Sequence, residues 1–246
     1  LATGKPLWSS DTMRQFGVAK GFFGAAGSPI VEDGRLIANV GGKNAGVVAF
    51  DAKTGRVLWT ATSDAASYSS GIAATILGRR LVVFLTREGL VGLDPANGQV
   101  RFQRPWRARQ AASVNAATPL IVGNAIFVSA EYGPGAGVLQ FDGTRLADVW
   151  LSNDILSNHY ATSIYYQGRL FGFHGRQEFG PVFRAVEMTS GKVLWSTGRF
   201  GAGSVTLAGS RLLIVRETGE LVLTAASPAG YQPVATAQIL PPTVRA

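Results

Sequence analysis

A motif that returns at regular intervals is the feature that most constrains the fold of this 246-residue chain. The sequence AFDAKTGRVLW at 49–59 recurs as GLDPANGQVRF at 92–102 and as AVEMTSGKVLW at 185–195. Looser copies end at Trp8 and Trp150, and the intervals between the terminal aromatic residues run from 43 to 51 positions. Units of roughly 40–50 residues are typical of β-propeller blades.

The chemistry of the motif predicts a hairpin with an aromatic residue at its end. An apolar strand reaches Asp51, whose carboxylate can accept hydrogen bonds from the backbone of the turn. Gly55 supplies a positive φ, and the return strand ends at Trp59. An aromatic side chain buries about 150–250 Å², so one per blade would join neighbouring blades. We assign ten residues to this structural motif: Trp8, Asp51, Gly55, Trp59, Asp94, Gly98, Phe102, Trp150, Gly191 and Trp195.

Two further strands precede each motif, which predicts an all-β fold of four-stranded antiparallel blades within a single β-propeller domain, 1–246. The strands of a blade are A, B, C and D in chain order. Five blades are expected, together with the outer strand of a preceding blade at 5–10. Their approximate ranges are 20–62, 66–106, 113–152, 159–198 and 202–240. The last motif has decayed over 225–231 and lacks a closing tryptophan.

Charge and composition exclude several classes of function. The formal charge is +8, but the basic residues are scattered. The densest group is Arg101, Arg104, Arg107 and Arg109. This group is expected to be a solvated strand end and loop, so no nucleic-acid partner is predicted. Cysteine is absent, which excludes disulfides and thiolate chemistry. No apolar stretch approaches the ~18 residues of a transmembrane helix. Leu1 opens no signal peptide, so we expect the natural start to lie upstream.

The loops opposite the repeated turns are the place to expect a ligand or a partner. In a propeller the D-to-A and B-to-C connections share one face, and loops on a rigid scaffold carry function. The candidate residues on this face are Tyr68, Arg87, Asn115, Glu131, His159, Tyr160, His174 and Arg216, and the loops also carry Phe22, Phe23 and Tyr132.

No catalytic or metal-binding residue is predicted on that face. The two histidines have no carboxylate at ligand spacing, so they are interpreted as surface or packing residues. Arg87 with Glu88, and Arg216 with Glu217, are expected to form solvated ion pairs.

The spacing Ala-x-Asp-x-x-Thr-Gly-x-x-x-Trp at 49–59 resembles the tryptophan-docking motif of pyrroloquinoline-quinone-type β-propellers. That superfamily includes BamB-like propeller lipoproteins and bacterial quinoprotein alcohol dehydrogenases. The resemblance implies that the five blades are part of a seven- or eight-bladed propeller or form an open arc, with a closed five-bladed ring as the competing arrangement. It also implies a non-catalytic scaffold or protein-binding platform in the bacterial cell envelope, periplasmic or exported, with a protein partner and no cofactor. An incomplete ring could associate edge to edge with other chains.

The same resemblance leaves an alternative function, part of a pyrroloquinoline-quinone-dependent alcohol or sugar dehydrogenase. In such enzymes calcium polarises the quinone while a carboxylate removes the alcohol proton. A calcium cage of carboxylate and amide groups would then be needed. The candidate donors on the loop face are Glu131, Asn115 and Asn44, and they match no dehydrogenase motif.

Overall fold

The computed structural model describes residues 3–19, 21, 24, 26–108, 110 and 114–242, and these form five four-stranded antiparallel sheets. The first sheet contains β1 (Ile30–Glu32), β2 (Arg35–Gly42), β3 (Ala45–Asp51) and β4 (Val57–Ala61). The second contains β5 (Ile72–Ile76), β6 (Arg79–Leu85), β7 (Gly89–Leu93) and β8 (Val100–Pro105). The all-β blade architecture expected from the repeat is confirmed.

The remaining three sheets follow the same order along the chain. The third contains β9 (Leu120–Val122), β10 (Ala125–Ala130), β11 (Gly135–Phe141) and β12 (Leu146–Ser152). The fourth contains β13 (Ile164–Tyr166), β14 (Arg169–His174), β15 (Val182–Glu187) and β16 (Val193–Ser196). The fifth contains β17 (Gly203–Ala208), β18 (Arg211–Arg216), β19 (Glu220–Ala225) and β20 (Pro233–Gln238). A short 3-10 turn lies at Gln177–Phe179.

Burial decreases toward the last strand of each sheet. In β3 and β7 nearly every residue is buried, because both faces of the strand are covered. Strands covered on both faces read as continuous apolar runs, and VVAF within β3 is one. Every residue of β20, by contrast, is exposed. The hydrophobic core therefore runs through the middle strands of the sheets.

The chain divides into two compact units, each with its own core. The first is Leu1–Arg107 with Phe141–Leu146, and the second is Ala108–Gln140 with Ala147–Ala246. Ile37, Phe84 and Val91 belong to the core of the first unit. Phe171, Phe183 and Ile214 belong to one core cluster of the second. That all five blades belong to one propeller domain stays a prediction.

The repeated tryptophans join successive sheets within each unit. The indole Nε1 of each donates to a backbone carbonyl of the following sheet at 2.8–3.0 Å: Trp8 to Ala52, Trp59 to Pro95, Trp150 to Met188 and Trp195 to Ser227. The first three acceptors directly follow the acidic residue of the motif. Phe102 has no indole N–H; its ring is 5 % exposed and packs 4.9 Å from that of Phe141, which lies in the same unit.

The turn glycines provide the surface on which these rings lie. Gly55, Gly98 and Gly191 have φ of +74°, +73° and +73°. A Cβ added at Gly98 would lie 2.5 Å from the ring of Trp59, so a side chain at this position would displace the indole. The carboxylate of Asp51 accepts hydrogen bonds from Thr54 Oγ1 and from the backbone N–H of Thr54 and Lys53, which lower its pKa.

The outer strand predicted at 5–10 is wrong. A strand needs a hydrogen-bonded neighbour, and residues 5–10 are paired with none of the strands in the described part of the chain. The chain instead enters α1 (Thr12–Phe16), in which Asp11 caps the N-terminus and Gly17, at φ 62°, ends the helix. Trp8 keeps its indole contact with Ala52 without being in a strand.

Candidate functional site

In the second unit, four non-repeated segments carry three of the candidate residues, Glu131, His159 and Tyr160. The segments are the B-to-C connections 131–134, 175–181 and 217–219, and the segment 156–163 that leads into β13. We call these four segments the upper face. The 131–134 connection is the hairpin tip between β10 and β11, which sets Tyr132 at φ +68°.

A histidine held by two hydrogen bonds lies at the centre of the upper face. His159 is 4 % exposed, and its Nδ1 accepts a hydrogen bond from the backbone N–H of Gln177 at 3.1 Å. Its Nε2 lies 2.8 Å from the hydroxyl of Tyr132. Because Nδ1 accepts, the neutral ring carries its proton on Nε2 and donates it to the Tyr132 oxygen. The ring of Tyr160 stacks on the imidazole at 3.7 Å. His159 therefore fixes two loops and one exposed aromatic ring.

An arginine between two aromatic rings forms the outer part of the upper face. The guanidinium of Arg176 lies 4.6 Å from the ring centre of Tyr132 and 5.0 Å from that of Phe179. Its Nη2 donates to Glu178 at 3.0 Å. The pKa of Glu178 is lowered because its carboxylate accepts a hydrogen bond from the Glu178 backbone N–H and another from the side chain of Arg176. Phe179 is 70 % exposed although it is fully apolar.

Burial acts on the two neighbouring residues of the 131–134 connection. It raises the pKa of Glu131, whose carboxylate accepts a hydrogen bond from the backbone N–H of Tyr132 at 3.1 Å. Burial also raises the pKa of the Tyr132 phenol. The phenol is therefore protonated at neutral pH.

A groove of about 360 Å³ lies beside the stacked Tyr160 ring, between the fourth and fifth sheets of the second unit. Its apolar wall includes Tyr160, Ala161, Pro181, Gly203, Val215 and Leu240. Its polar margin is organised around Glu217, which accepts hydrogen bonds from the backbone N–H of Ala202 at 2.9 Å and from Gln177 Nε2 at 3.3 Å. The volume falls in the range of binding pockets for small groups.

Two of the predicted face residues have structural contacts of their own. His174 Nδ1 accepts from the backbone N–H of Ser157 at 3.0 Å, and burial, with the nearby Arg184 charge, lowers the pKa of His174 to about 4. Arg216 packs 4.5 Å above the ring of Phe200 and donates to the Phe200 carbonyl at 3.0 Å.

The ion pair expected between Arg216 and Glu217 is wrong, because Arg216 pairs with Glu220 at 2.6 Å. Arg216 and Glu220 lie on opposite sides of the β18–β19 hairpin turn. Glu217 is instead held by Ala202 and Gln177.

The candidate residues of the first unit lie apart from this network along the chain. Burial, followed by the charge of Arg107, lowers the pKa of Arg87. Glu88 pairs with Arg107 at 2.5 Å, and Tyr68 is half-buried. Asn115, which belongs to the second unit, is fully buried. Phe22, Phe23 and Arg109 lie outside the described residues.

Sequence reasoning missed Gln177, Glu178 and Phe179 as site residues. All three lie in the connection 175–181, which has no repeated counterpart in the chain. One signal was available: Phe179 is an isolated apolar residue in the polar stretch GRQEFG.

The described residues provide neither a cluster of metal ligands nor a membrane-spanning helix. Among them, no three histidine, aspartate or glutamate side chains come close enough to hold a metal ion. No described helix has the length and apolar character needed to cross a bilayer.

Five four-stranded antiparallel sheets, joined within each unit by repeated indole contacts, define blades of the quinoprotein-like β-propeller class. The family described as outer membrane protein assembly factor BamB matches residues 1–172, and the chain belongs to this family. No curated protein matches the chain at a significant level.

Solved structures similar to the chain include a BamB protein and two alcohol dehydrogenases. BamB from Moraxella catarrhalis is 16 % identical with a TM-score of 0.50, over 87 % of this chain and 74 % of that one. Quinohemoprotein alcohol dehydrogenase from Comamonas testosteroni is 13 % identical with a TM-score of 0.56, over 89 % of this chain and 43 % of that one. The dehydrogenase ADHIIG from Pseudomonas putida HK5 is 15 % identical with the same TM-score, over 89 % and 42 %. At these identities the likeness shows the fold alone.

Proposed function

We propose that this chain is a non-catalytic propeller of the bacterial cell envelope, located in the periplasm, that binds a protein partner through its upper face. Membership of the BamB family supports a scaffold or binding platform. The fold by itself does not select a function, since propellers also carry enzymes. A specific role therefore depends on the residues of the upper face.

The observation that carries the proposal is a pair of exposed aromatic rings, one beside a fixed arginine and the other stacked on a buried histidine. Phe179 is 70 % exposed and Tyr160 is 47 % exposed, and Arg176 lies against the Phe179 ring. Tyrosine and arginine are enriched at the energetic centres of protein interfaces, and aromatic residues generally are enriched there. Tyr160 is stacked on the buried His159, so little side-chain freedom would be lost on binding.

The similarity to quinohemoprotein dehydrogenases raises the alternative of an enzyme fragment. A quinone with calcium would need several carboxylate and amide oxygens around one point. Within the described residues no such acidic cluster occurs, and the candidate donor Asn44 lies in the first unit with its side-chain oxygen accepting from Ser63. The residues present do not fit this cofactor pair, so we derive no dehydrogenase step.

Site-specific photo-crosslinking in cells tests the proposed function. A photoreactive amino acid at position 179 should yield a discrete crosslinked protein. The same amino acid at position 31 is the control, because Val31 is 63 % exposed but lies on β1 of the first unit. Absence of a crosslink at position 179, or identical products at both positions, would contradict a binding role for the upper face.

A second measurement is the amount of the crosslinked partner that co-purifies with variants of the chain. The double variant Phe179→Ala with Tyr160→Ala should retain at least ten-fold less of that partner than the wild type does, because alanine substitution of central interface residues costs about 2 kcal/mol or more. The control is Val31→Ala, which should retain the wild-type amount. Alcohol oxidation by the purified chain loaded with calcium and pyrroloquinoline quinone would favour the enzyme instead.

A further inference from the structure

The groove beside Tyr160 has the form of a receptor for one apolar side chain. Its volume of about 360 Å³ is enclosed on one side by Ala161 and Pro181 and on the other by Gly203 and Val215. Gly203 opens the A strand β17, and Val215 lies on its partner strand β18. A side chain of the partner that enters between Pro181 and this pair of strands would be removed from water on two sides, which is favourable for aliphatic groups.

The loops around the groove carry slightly more acidic than basic side chains, in contrast to the whole chain. The chain carries a formal charge of +8. The connections 131–134 and 175–181, with residues 216–220, carry four glutamates and two arginines: Glu131, Glu178, Glu217, Glu220, Arg176 and Arg216. Both arginines are already paired, Arg176 with Glu178 and Arg216 with Glu220. The side chain of Arg199 lies beside Gly180, so these loops have an excess of one negative charge, and Glu217 and Arg216 are the charged residues that line the groove itself.

The exposed aromatic rings favour a cation on the partner for a separate reason. The face of an aromatic ring attracts an ammonium or guanidinium group, and Arg176 already lies over Tyr132 and Phe179 in this way. Tyr160, 47 % exposed, presents a further ring at the mouth of the groove. Glutamate carboxylates and aromatic faces thus favour the same partner charge.

We propose that the groove binds an extended segment of the partner protein, in which an aliphatic side chain enters between β17 and Pro181 and a neighbouring lysine or arginine lies against the glutamates and Tyr160. This inference rests on the proposed function, since it names the chemistry of the partner. Extended peptides commonly combine a pocket for one side chain with polar contacts at its margin.

Short synthetic peptides test this chemistry with the purified full chain. The probe is an acetylated, amidated peptide Gly-Lys-Leu-Lys-Gly, compared with Gly-Glu-Leu-Glu-Gly and Gly-Lys-Ala-Lys-Gly, with binding followed by NMR titration. We expect the lysine–leucine peptide to bind at least ten-fold more tightly than the glutamate peptide and about five-fold more tightly than the alanine peptide. Its affinity should fall as salt is raised. Equal binding of all three peptides, or a preference for the acidic one, would overturn the proposal.

Two matched pairs of variants place the binding at the groove. Ser204→Phe should fill the groove and lower the affinity at least five-fold, whereas Thr206→Phe, two residues further on the same face of β17, should leave it unchanged. Glu178→Gln should lower the affinity about three-fold, whereas Asp33→Asn, which removes the same charge from an 83 % exposed side chain of the first unit, should not. Equal effects within either pair would overturn the placement.

The two proposals fail separately. If crosslinking at position 179 captures a partner while the peptides show no preference for lysine and leucine, the groove chemistry is wrong and the binding platform stands. If the peptides bind as expected but no partner is captured at position 179, the platform is wrong.

Discussion

The repeated turns and the upper face of the second unit use similar residues in different ways. In the turns, Glu187 and Gly191 occupy the positions that Asp51 and Gly55 occupy in another sheet. In both turns the glycine N–H donates to the backbone carbonyl of the acidic residue, at 2.8 and 2.9 Å. On the upper face, the network of His159 and Tyr132 occurs once. Geometry that is repeated in sheet after sheet solves a packing problem common to all blades. Geometry that occurs once is not explained by packing between blades, and this makes the upper face the better candidate for a function.

The largest effect is expected from removing a repeated aromatic ring. Trp59→Ala should lower the free energy of unfolding by about 3 kcal/mol, because it leaves a cavity between sheets and removes the donor to the Pro95 carbonyl. Trp59→Phe should cost about half as much, since it keeps most of the ring and loses the indole N–H. Urea unfolding measures both. A loss below about 1 kcal/mol for Trp59→Ala would show that the ring does not join the sheets.

The turn glycines offer the next largest effect, with a control in the same sheet. Gly98→Ala should destabilise by about 2–3 kcal/mol, because it combines a positive φ with a Cβ 2.5 Å from Trp59. Gly78 has a φ of +76° but no atom within 4 Å of an added Cβ. Gly78→Ala should therefore cost only about 1 kcal/mol. Equal losses of thermal stability in the two variants would show that the contact with the Trp59 indole does not cause the loss in Gly98→Ala.

Residues that repeat could be predicted from the sequence, and residues that depend on a single connection could not. The glycine turn at 55 and the tryptophan at 59 were predictable because their spacing recurs. Helix α1 (Thr12–Phe16) was not, because five residues are too few to show a helical period. The Arg216–Glu220 pair was missed because the two side chains meet across a hairpin turn, whereas reasoning from the sequence joined immediate neighbours.

His174 has a structural role, whereas His159 belongs to the candidate site. The pH dependence of stability distinguishes the two residues. The pKa of His174 is about 4 in the folded chain, below the ordinary value of 6.5. Between these pH values the unfolded chain binds more protons, so stability is lost as pH falls from about 6.5 to 4. The loss from this residue should be about 1–2 kcal/mol, since water still screens the partly buried ring.

The variant His174→Asn keeps an acceptor for the Ser157 N–H but does not titrate. Its free energy of unfolding should therefore depend less on pH over this window than that of the wild type. His159 is present in both proteins, so the difference between their urea-unfolding profiles isolates His174. Parallel profiles would show that His174 is protonated equally in the folded and unfolded chains.

The smallest effect tests whether the network on the upper face is fixed by hydrogen bonding. Tyr132→Phe removes the hydroxyl 2.8 Å from His159 Nε2 and leaves a buried donor without its partner, so we expect a loss of about 1 kcal/mol. Tyr165→Phe, on β13 of the same unit, should change stability by less than about 0.5 kcal/mol. The Tyr132 variant should also shift the NMR signals of the His159 ring, because its Nε2 proton loses an acceptor. An unchanged imidazole spectrum would mean that the Gln177 N–H and the Tyr160 ring hold the imidazole without the Tyr132 hydroxyl, and the upper face would then be less preorganised than its contacts indicate.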